Sequence, residues 1–160
     1  MSKTEITAEP GSPQVVVTRE FDAPPAEVLR AHTDPDLVVR WLGPRRYKME
    51  LDRWDVRDGG TWRYVHRDDD GNEFGFHGVF HGEPSVDGFV QTFEFEGYPG
   101  HVSLDTATFE DLGDGRTRLR ANAVFQSVED RDGMLQSGME SGMNEGYDRL
   151  DEMLAEITKR

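Results

Sequence analysis

Tyr64 and His66 are the side chains whose types and spacing best suit acid–base chemistry. Residues two apart on a β-strand point to the same face about 6.5 to 7 Å apart, so a phenol and an imidazole placed this way could both reach one carbonyl substrate of aromatic size. Gln91 is a third polar candidate for the same face. An inward-facing histidine is more often a core residue than a catalyst, so both interpretations stay open and no catalytic residue is assigned.

The other residue patterns that could indicate a metal site or a catalytic motif support neither. His77 and His81, four apart on a strand, have Cα atoms about 13 Å apart, which is too far to chelate one metal ion. Asp68 to Glu73 resembles part of a calcium loop but lacks its twelve-residue frame, so a hairpin turn is predicted. There is no cysteine, and neither a glycine-rich phosphate loop nor a G-x-S-x-G motif occurs. We expect no metal ion and no cofactor.

Charge narrows the range of partners. Thirty-two acidic residues against eighteen basic ones give a formal net charge of −14, which repels phosphate backbones and anionic lipid surfaces. The first 13 residues contain no apolar run typical of a signal peptide, and no stretch reaches the roughly 18 apolar residues of a membrane span. We therefore expect an acidic cytoplasmic protein that neither binds nucleic acid nor inserts into membranes, as a monomer or weak homodimer.

The elements that position these side chains follow from hydrophobic periodicity. A flexible tail over residues 1–13 is predicted to precede one domain over residues 14–160. A β-branched first strand spans residues 15–21, and two short helices begin at the Pro-containing segments after Asp22 and Asp34. Period-two alternation broken by turn signals predicts six strands between residues 46 and 125. A helical stripe over residues 127–159 completes an α+β fold in which a curved antiparallel sheet wraps around a long C-terminal helix.

The alternation of these strands places large aromatic residues on the concave face of the sheet. Opposite them, Gly138, Gly142 and Gly146 recur every fourth residue in the predicted helix, although each costs about 1 kcal/mol relative to alanine. Either the helix backbone packs closely against the sheet there, or the missing side chains leave room for a guest molecule. The predicted cavity residues are Trp41, Trp62, Tyr64, His66, Phe76, Phe80, Phe93, Phe95, Met139, Gly142 and Met143.

Several ordered motifs resemble the SRPBCC (START-like, helix-grip) superfamily. They are Arg19-Glu20-Phe21-Asp22-Ala23-Pro24, Trp41-Leu42-Gly43-Pro44, Asp58-Gly59-Gly60 and Thr92-Phe93-Glu94-Phe95-Glu96-Gly97. The segments 131–135 and 137–142 narrow the resemblance to bacterial proteins similar to the C-terminal domain of the activator of the heat-shock-protein-90 ATPase. The resemblance runs from about Val15 to Ile157 and implies a helix-grip fold with about seven strands.

This resemblance implies three kinds of function. The first is binding of a small hydrophobic ligand, of unknown identity, between the sheet and the C-terminal helix. The second is a polyketide cyclase-like or hydrolase-like enzyme acting on an aromatic or apolar substrate in the same cavity, with His66 or Tyr64 as the catalytic candidates. The third is a partner-binding module related to chaperone activators. Fold alone does not choose among them, and we expect a binding protein more readily than an enzyme.

Overall fold

The computed structural model describes residues 3–158. Its eight strands are β1 (Glu5–Thr7), β2 (Gln14–Phe21), β3 (Lys48–Trp54), β4 (Thr61–Arg67), β5 (Glu73–Val79), β6 (Gly88–Phe95), β7 (Val102–Gly113) and β8 (Arg116–Val124). Its four helices are α1 (Pro25–Thr33), α2 (Pro35–Val38), α3 (Val128–Gln136) and α4 (Met139–Thr158). The strands form one antiparallel sheet in the order β1-β2-β8-β7-β6-β5-β4-β3. The predicted α+β class and antiparallel sheet are confirmed.

The additional strand, β1, lies within the segment that the sequence predicted to be a flexible tail. It pairs with β2, so that Ile6 lies opposite Val17. The tail segment is also held by the buried guanidinium of Arg131, which donates hydrogen bonds to the carbonyl oxygens of Glu9 (2.9 Å) and Gln14 (3.1 Å). A strand of three residues has too little periodicity to be recognised from sequence.

The C-terminal helix is two helices, which corrects the prediction of one continuous helix from residue 127. Ser127 caps α3 by accepting a hydrogen bond from the Asp130 amide (3.0 Å). Gly138 then adopts a φ of +89°, a left-handed conformation that side chains other than glycine rarely occupy. The chain turns there before α4 begins, so Gly138 separates the two helices and does not belong to a helical stripe.

The core lies between α4 and the half of the sheet nearest β2. The apolar face of α4 contributes Tyr147, Leu150, Met153 and Leu154, which pack with residues of β2, α1 and β8. Arg19 also points inward from β2, where its Nη2 donates to Asp148 Oδ1 at 2.9 Å and to Asp151 of α4. Because burying a guanidinium without partners is costly, this ion pair fixes α4 over the first half of the sheet.

Candidate ligand-binding cavity

A cavity of about 1430 Å³ lies between the concave face of the sheet, the two C-terminal helices and the loop after α2. Ten of the eleven predicted cavity residues lie on its wall, namely Trp41, Trp62, Tyr64, His66, Phe76, Phe93, Phe95, Met139, Gly142 and Met143. They come from distant parts of the chain, which the antiparallel sheet and the returning helix bring together. These ten residues therefore surround one space.

Phe80 is the exception, and its assignment to the cavity is wrong. It lies just beyond the end of β5 and is only 2% exposed. Its ring packs edge-on against Trp54 and Phe89, with centroid distances of 6.2 Å in both cases. Phe80 therefore faces other side chains in the core and not the open space.

Stacked rings build the wall along β4 and across to its neighbours. Trp62 and Tyr64 stack with centroids 5.4 Å apart and an interplanar angle of 16°, and His66 continues the series 5.0 Å from Tyr64. Phe76, which is paired with Tyr64 across β4 and β5, has its ring 5.2 Å away. Cross-strand aromatic pairs of this kind stabilise a sheet and keep their rings in fixed positions, so this wall is preorganised.

His66 is enclosed between the Tyr47 ring, stacked on it at 5.3 Å, and the backbone of Gly43. Burial lowers the pKa of His66 to about 4, and a backbone hydrogen bond with Leu42 offsets only part of that effect. Burial likewise raises the pKa of Tyr64 above its ordinary value. General acids and bases work best with a pKa near the working pH, so these two groups are poorly matched to acid–base catalysis near neutrality.

The sequence left open whether the glycines allow close packing against the sheet or leave room for a guest molecule. The two glycines within α4 face the loop after α2. A Cβ on Gly146 would lie 3.3 Å from the Gly43 nitrogen and the Trp41 oxygen, whereas one on Gly142 would lie 3.7 Å from Pro44 Cδ. Arg149 fastens the same loop by donating to the Gly43 carbonyl at 2.9 Å. The segment 41–44 is therefore clamped onto α4.

A polar group that the sequence analysis missed lies on the same wall. Asp105 of β7 lines the cavity between β6 and β8, directly opposite Gln91 in the β6–β7 register. Ser103 Oγ donates to Asp105 Oδ1 at 2.9 Å, and Gln91 also hydrogen-bonds to the carboxylate. Burial nevertheless raises the pKa of Asp105 to about 6. Strand parity could have identified this position, because Asp105 lies on the same face of β7 as the buried Phe109 and Ala107.

The polar motifs outside the cavity have structural roles. His77 Nδ1 lies 2.8 Å from Glu96 Oε2, and Arg63 donates to both carboxylate oxygens of Glu96. Asp68 Oδ1 accepts from the backbone amides of Asp70 and Asn72, as in the predicted hairpin turn. Within residues 3–158, no group of three or more His, Asp or Glu side chains is arranged to hold a metal ion. None of the helices there is long and apolar enough to cross a membrane.

This sheet, closed by a C-terminal helix over a cavity, defines a START-like protein. The sequence profile of the Activator of Hsp90 ATPase homolog 1-like protein family matches residues 22–155. The chain belongs to this family, and the resemblance drawn from its motifs is confirmed. Membership supports a ligand-binding or chaperone-activator-like module. A search of curated proteins finds no match.

Solved structures of bacterial proteins share the fold. A crystal structure of a Rhodobacter sphaeroides protein is 28% identical, with a TM-score of 0.85 over 94% of this chain and 98% of that one. A solution structure of an Arthrobacter aurescens protein is 26% identical, with a TM-score of 0.86 over 95% and 91%. The AHSA1 protein of Silicibacter pomeroyi, at 20% identity, has a TM-score of 0.74 over 89% and 97%. This last likeness concerns the fold alone.

Proposed function

We propose that this protein binds a small hydrophobic molecule in the cavity between the sheet and the C-terminal helices. The observation that carries the proposal is a cavity of about 1430 Å³ whose walls are stacked aromatic rings. Concave, largely apolar sites with a few polar groups are the usual form of small-molecule sites in proteins. Apolar ligand surface placed against these rings would leave water, at about 25 cal/mol per Å².

Ligand entry is part of the proposal. Between β6 and β7, the exposed Tyr98 stacks on His101 with ring centroids 3.7 Å apart. Both residues line the cavity, as does the exposed Gly138 between α3 and α4. Trp41, by contrast, lines the cavity as a buried residue, and its Nε1 donates to the Ala31 carbonyl at 2.8 Å. We propose that the entrance to the cavity lies at Tyr98 and Gly138.

We also propose that the protein is cytoplasmic and is a monomer or weak homodimer.

The test uses the neutral apolar dye Nile red and the tryptophans that border the cavity. Saturable dye binding should quench or shift the emission of Trp41 and Trp62, because both indoles line the space. Ala123→Phe places a ring into the cavity and should weaken dye binding at least roughly fivefold. The matched control is Ala155→Phe, at an exposed position on α4 outside the cavity wall.

Two results would overturn the proposal. One is saturable dye binding that leaves tryptophan emission unchanged. The other is equal dye affinity in the folded Ala123→Phe and Ala155→Phe variants, with folding checked by thermal melting. We favour binding over catalysis because His66, with a pKa of about 4, and Tyr64, with a raised pKa, are poorly suited to proton transfer at neutral pH.

A further inference from the structure

The cavity wall carries a carboxylate without a counter-charge. Asp105 accepts hydrogen bonds from two neutral groups, Ser103 and Gln91. Ser103 is only 4% exposed and Asp105 is half-buried, so the carboxylate lies where the core meets the cavity. Within residues 3–158, no Arg, Lys or His forms an ion pair with Asp105. Buried charges in proteins are normally paired, and an unpaired one that faces an open cavity is available to a ligand.

Two phenol groups line the same cavity and also lack hydrogen-bond partners within residues 3–158. Tyr64 of β4 is 6% exposed and Tyr147 of α4 is 7% exposed, and both line the cavity. The charge of Asp105 adds to burial in raising the pKa of each phenol. Neither hydroxyl makes a hydrogen bond to any part of the chain that the structure describes. Neither hydroxyl oxygen is among the buried unpartnered atoms of the described residues, so both are accessible to a molecule in the cavity.

The charge of that ligand follows from its surroundings. A cation compensates the carboxylate and is attracted by the faces of aromatic rings. Trp62 stacks on Tyr64, and Trp41 stacks on Tyr147 with centroids 6.1 Å apart, so indole rings extend from both phenols. The net charge of −14 also favours the approach of cations. A neutral alcohol would leave the carboxylate uncompensated, and an anion would be repelled.

We infer that the cavity binds an organic amine with an apolar body, whose ammonium group hydrogen-bonds to Asp105 while the body packs against Trp62, Phe76 and Phe93. This inference rests on the proposed function, because it names the chemical class of the ligand in the same cavity. Tyr64 and Tyr147 line the same cavity, and their phenol oxygens remain available to hydrogen-bond to other parts of the ligand.

The test compares three ligands of nearly equal size, namely 4-phenylbutylamine, 4-phenylbutanol and 4-phenylbutyrate. Their affinities would be measured at pH 7.5 by calorimetry and tryptophan emission. We expect the amine to bind at least roughly tenfold more tightly than the alcohol, and the carboxylate more weakly than both. Asp105→Asn should bring the amine and alcohol affinities within about twofold of each other.

Asp69→Asn is the control for a general effect of charge. Asp69 lies at an exposed turn position outside the cavity wall, so this substitution changes the net charge without touching the inner carboxylate. The preference for the amine should persist in this variant. If the amine binds no more tightly than the alcohol, or if Asp69→Asn removes the preference as fully as Asp105→Asn, the inference is wrong. If the unmodified protein does not bind Nile red at all, the proposed function itself is wrong.

Discussion

Gly43 lies so close to His66 that a Cβ at residue 43 would be 2.5 Å from the imidazole Cε1. The same glycine has a φ of +93° and accepts a hydrogen bond from Arg149 through its carbonyl oxygen. One residue of the Trp41-Leu42-Gly43-Pro44 motif thus contacts the aromatic wall on one side and α4 on the other. The motif connects the aromatic wall of the cavity to α4. This structural role accounts for the motif without a catalytic function.

Gly43→Ala should lower the free energy of unfolding by about 2 to 3 kcal/mol. About 1 kcal/mol comes from the positive φ, and the remainder from displacing the His66 ring in a packed site. The matched control is Gly71→Ala, which also has a positive φ (+83°) but open space around a Cβ. Urea denaturation should show the smaller loss for the control. Equal losses in the two variants would mean that contact with His66 contributes nothing.

Gly142→Ala should stabilise the protein, whereas Gly146→Ala should not. The added methyl at residue 142 meets Pro44 at an ordinary contact distance of 3.7 Å, so the gain in helix propensity, up to about 1 kcal/mol, should raise the melting temperature. At residue 146 the methyl meets backbone atoms at 3.3 Å. We expect this crowding to cancel that gain or reverse it. A destabilised Gly142→Ala protein would show that residue 142 lies closer to Pro44 than the 3.7 Å contact allows.

The sequence predicted the cavity wall better than it predicted the helices around it. Period-two alternation is a local property, so Trp62, Tyr64 and His66 could be assigned to one face without knowing their neighbours. The break at Gly138 leaves the helical spacing of apolar residues almost unchanged on either side. The end of α3 is visible only in the positive φ of that glycine. The φ of a glycine inside a helical pattern cannot be deduced from sequence.

Asp105 was missed for a different reason. Leu104, the apolar residue beside it, is 46% exposed on the opposite face of the sheet, while the charged residue faces the cavity. This inverts the usual pattern of apolar residues inside and charged residues outside. Such local inversions are expected where a protein gives up stability for function. Strand parity counted from Phe109 identifies the position, whereas hydrophobicity alone does not.

His32 and His66 should remain neutral well below pH 6. Burial lowers the pKa of each to about 4 from the ordinary histidine value of 6.5. Between pH 6.5 and 4 the unfolded chain therefore binds more protons than the folded protein at these two sites, so their contribution to stability falls as the pH falls. NMR titration of the ring Cε1–H signals should give midpoints near 4, and near 6.5 in urea. Midpoints near 6.5 in the folded protein would contradict the burial of these rings.

Asp105 should affect stability with the opposite sign. Its pKa in the folded protein is raised to about 6 from the ordinary aspartate value of 3.8, so ionisation opposes folding at any pH above 6. As the pH falls from 6 to 3.8 the folded protein binds a proton that the unfolded chain does not, and this cost disappears. Asp105→Asn removes the ionisable group while keeping an oxygen that accepts from Ser103.

Asp105→Asn should therefore raise the free energy of unfolding by about 1 to 3 kcal/mol at pH 8, since one pKa unit corresponds to about 1.4 kcal/mol. The gain should shrink towards zero near pH 4. Urea denaturation at both pH values measures it, with Asp69→Asn, at an exposed turn position, as the control for loss of one negative charge. If the control gains as much as Asp105→Asn at pH 8, the gain reflects net charge. A loss of stability in Asp105→Asn would show that the carboxylate is already compensated within the folded protein.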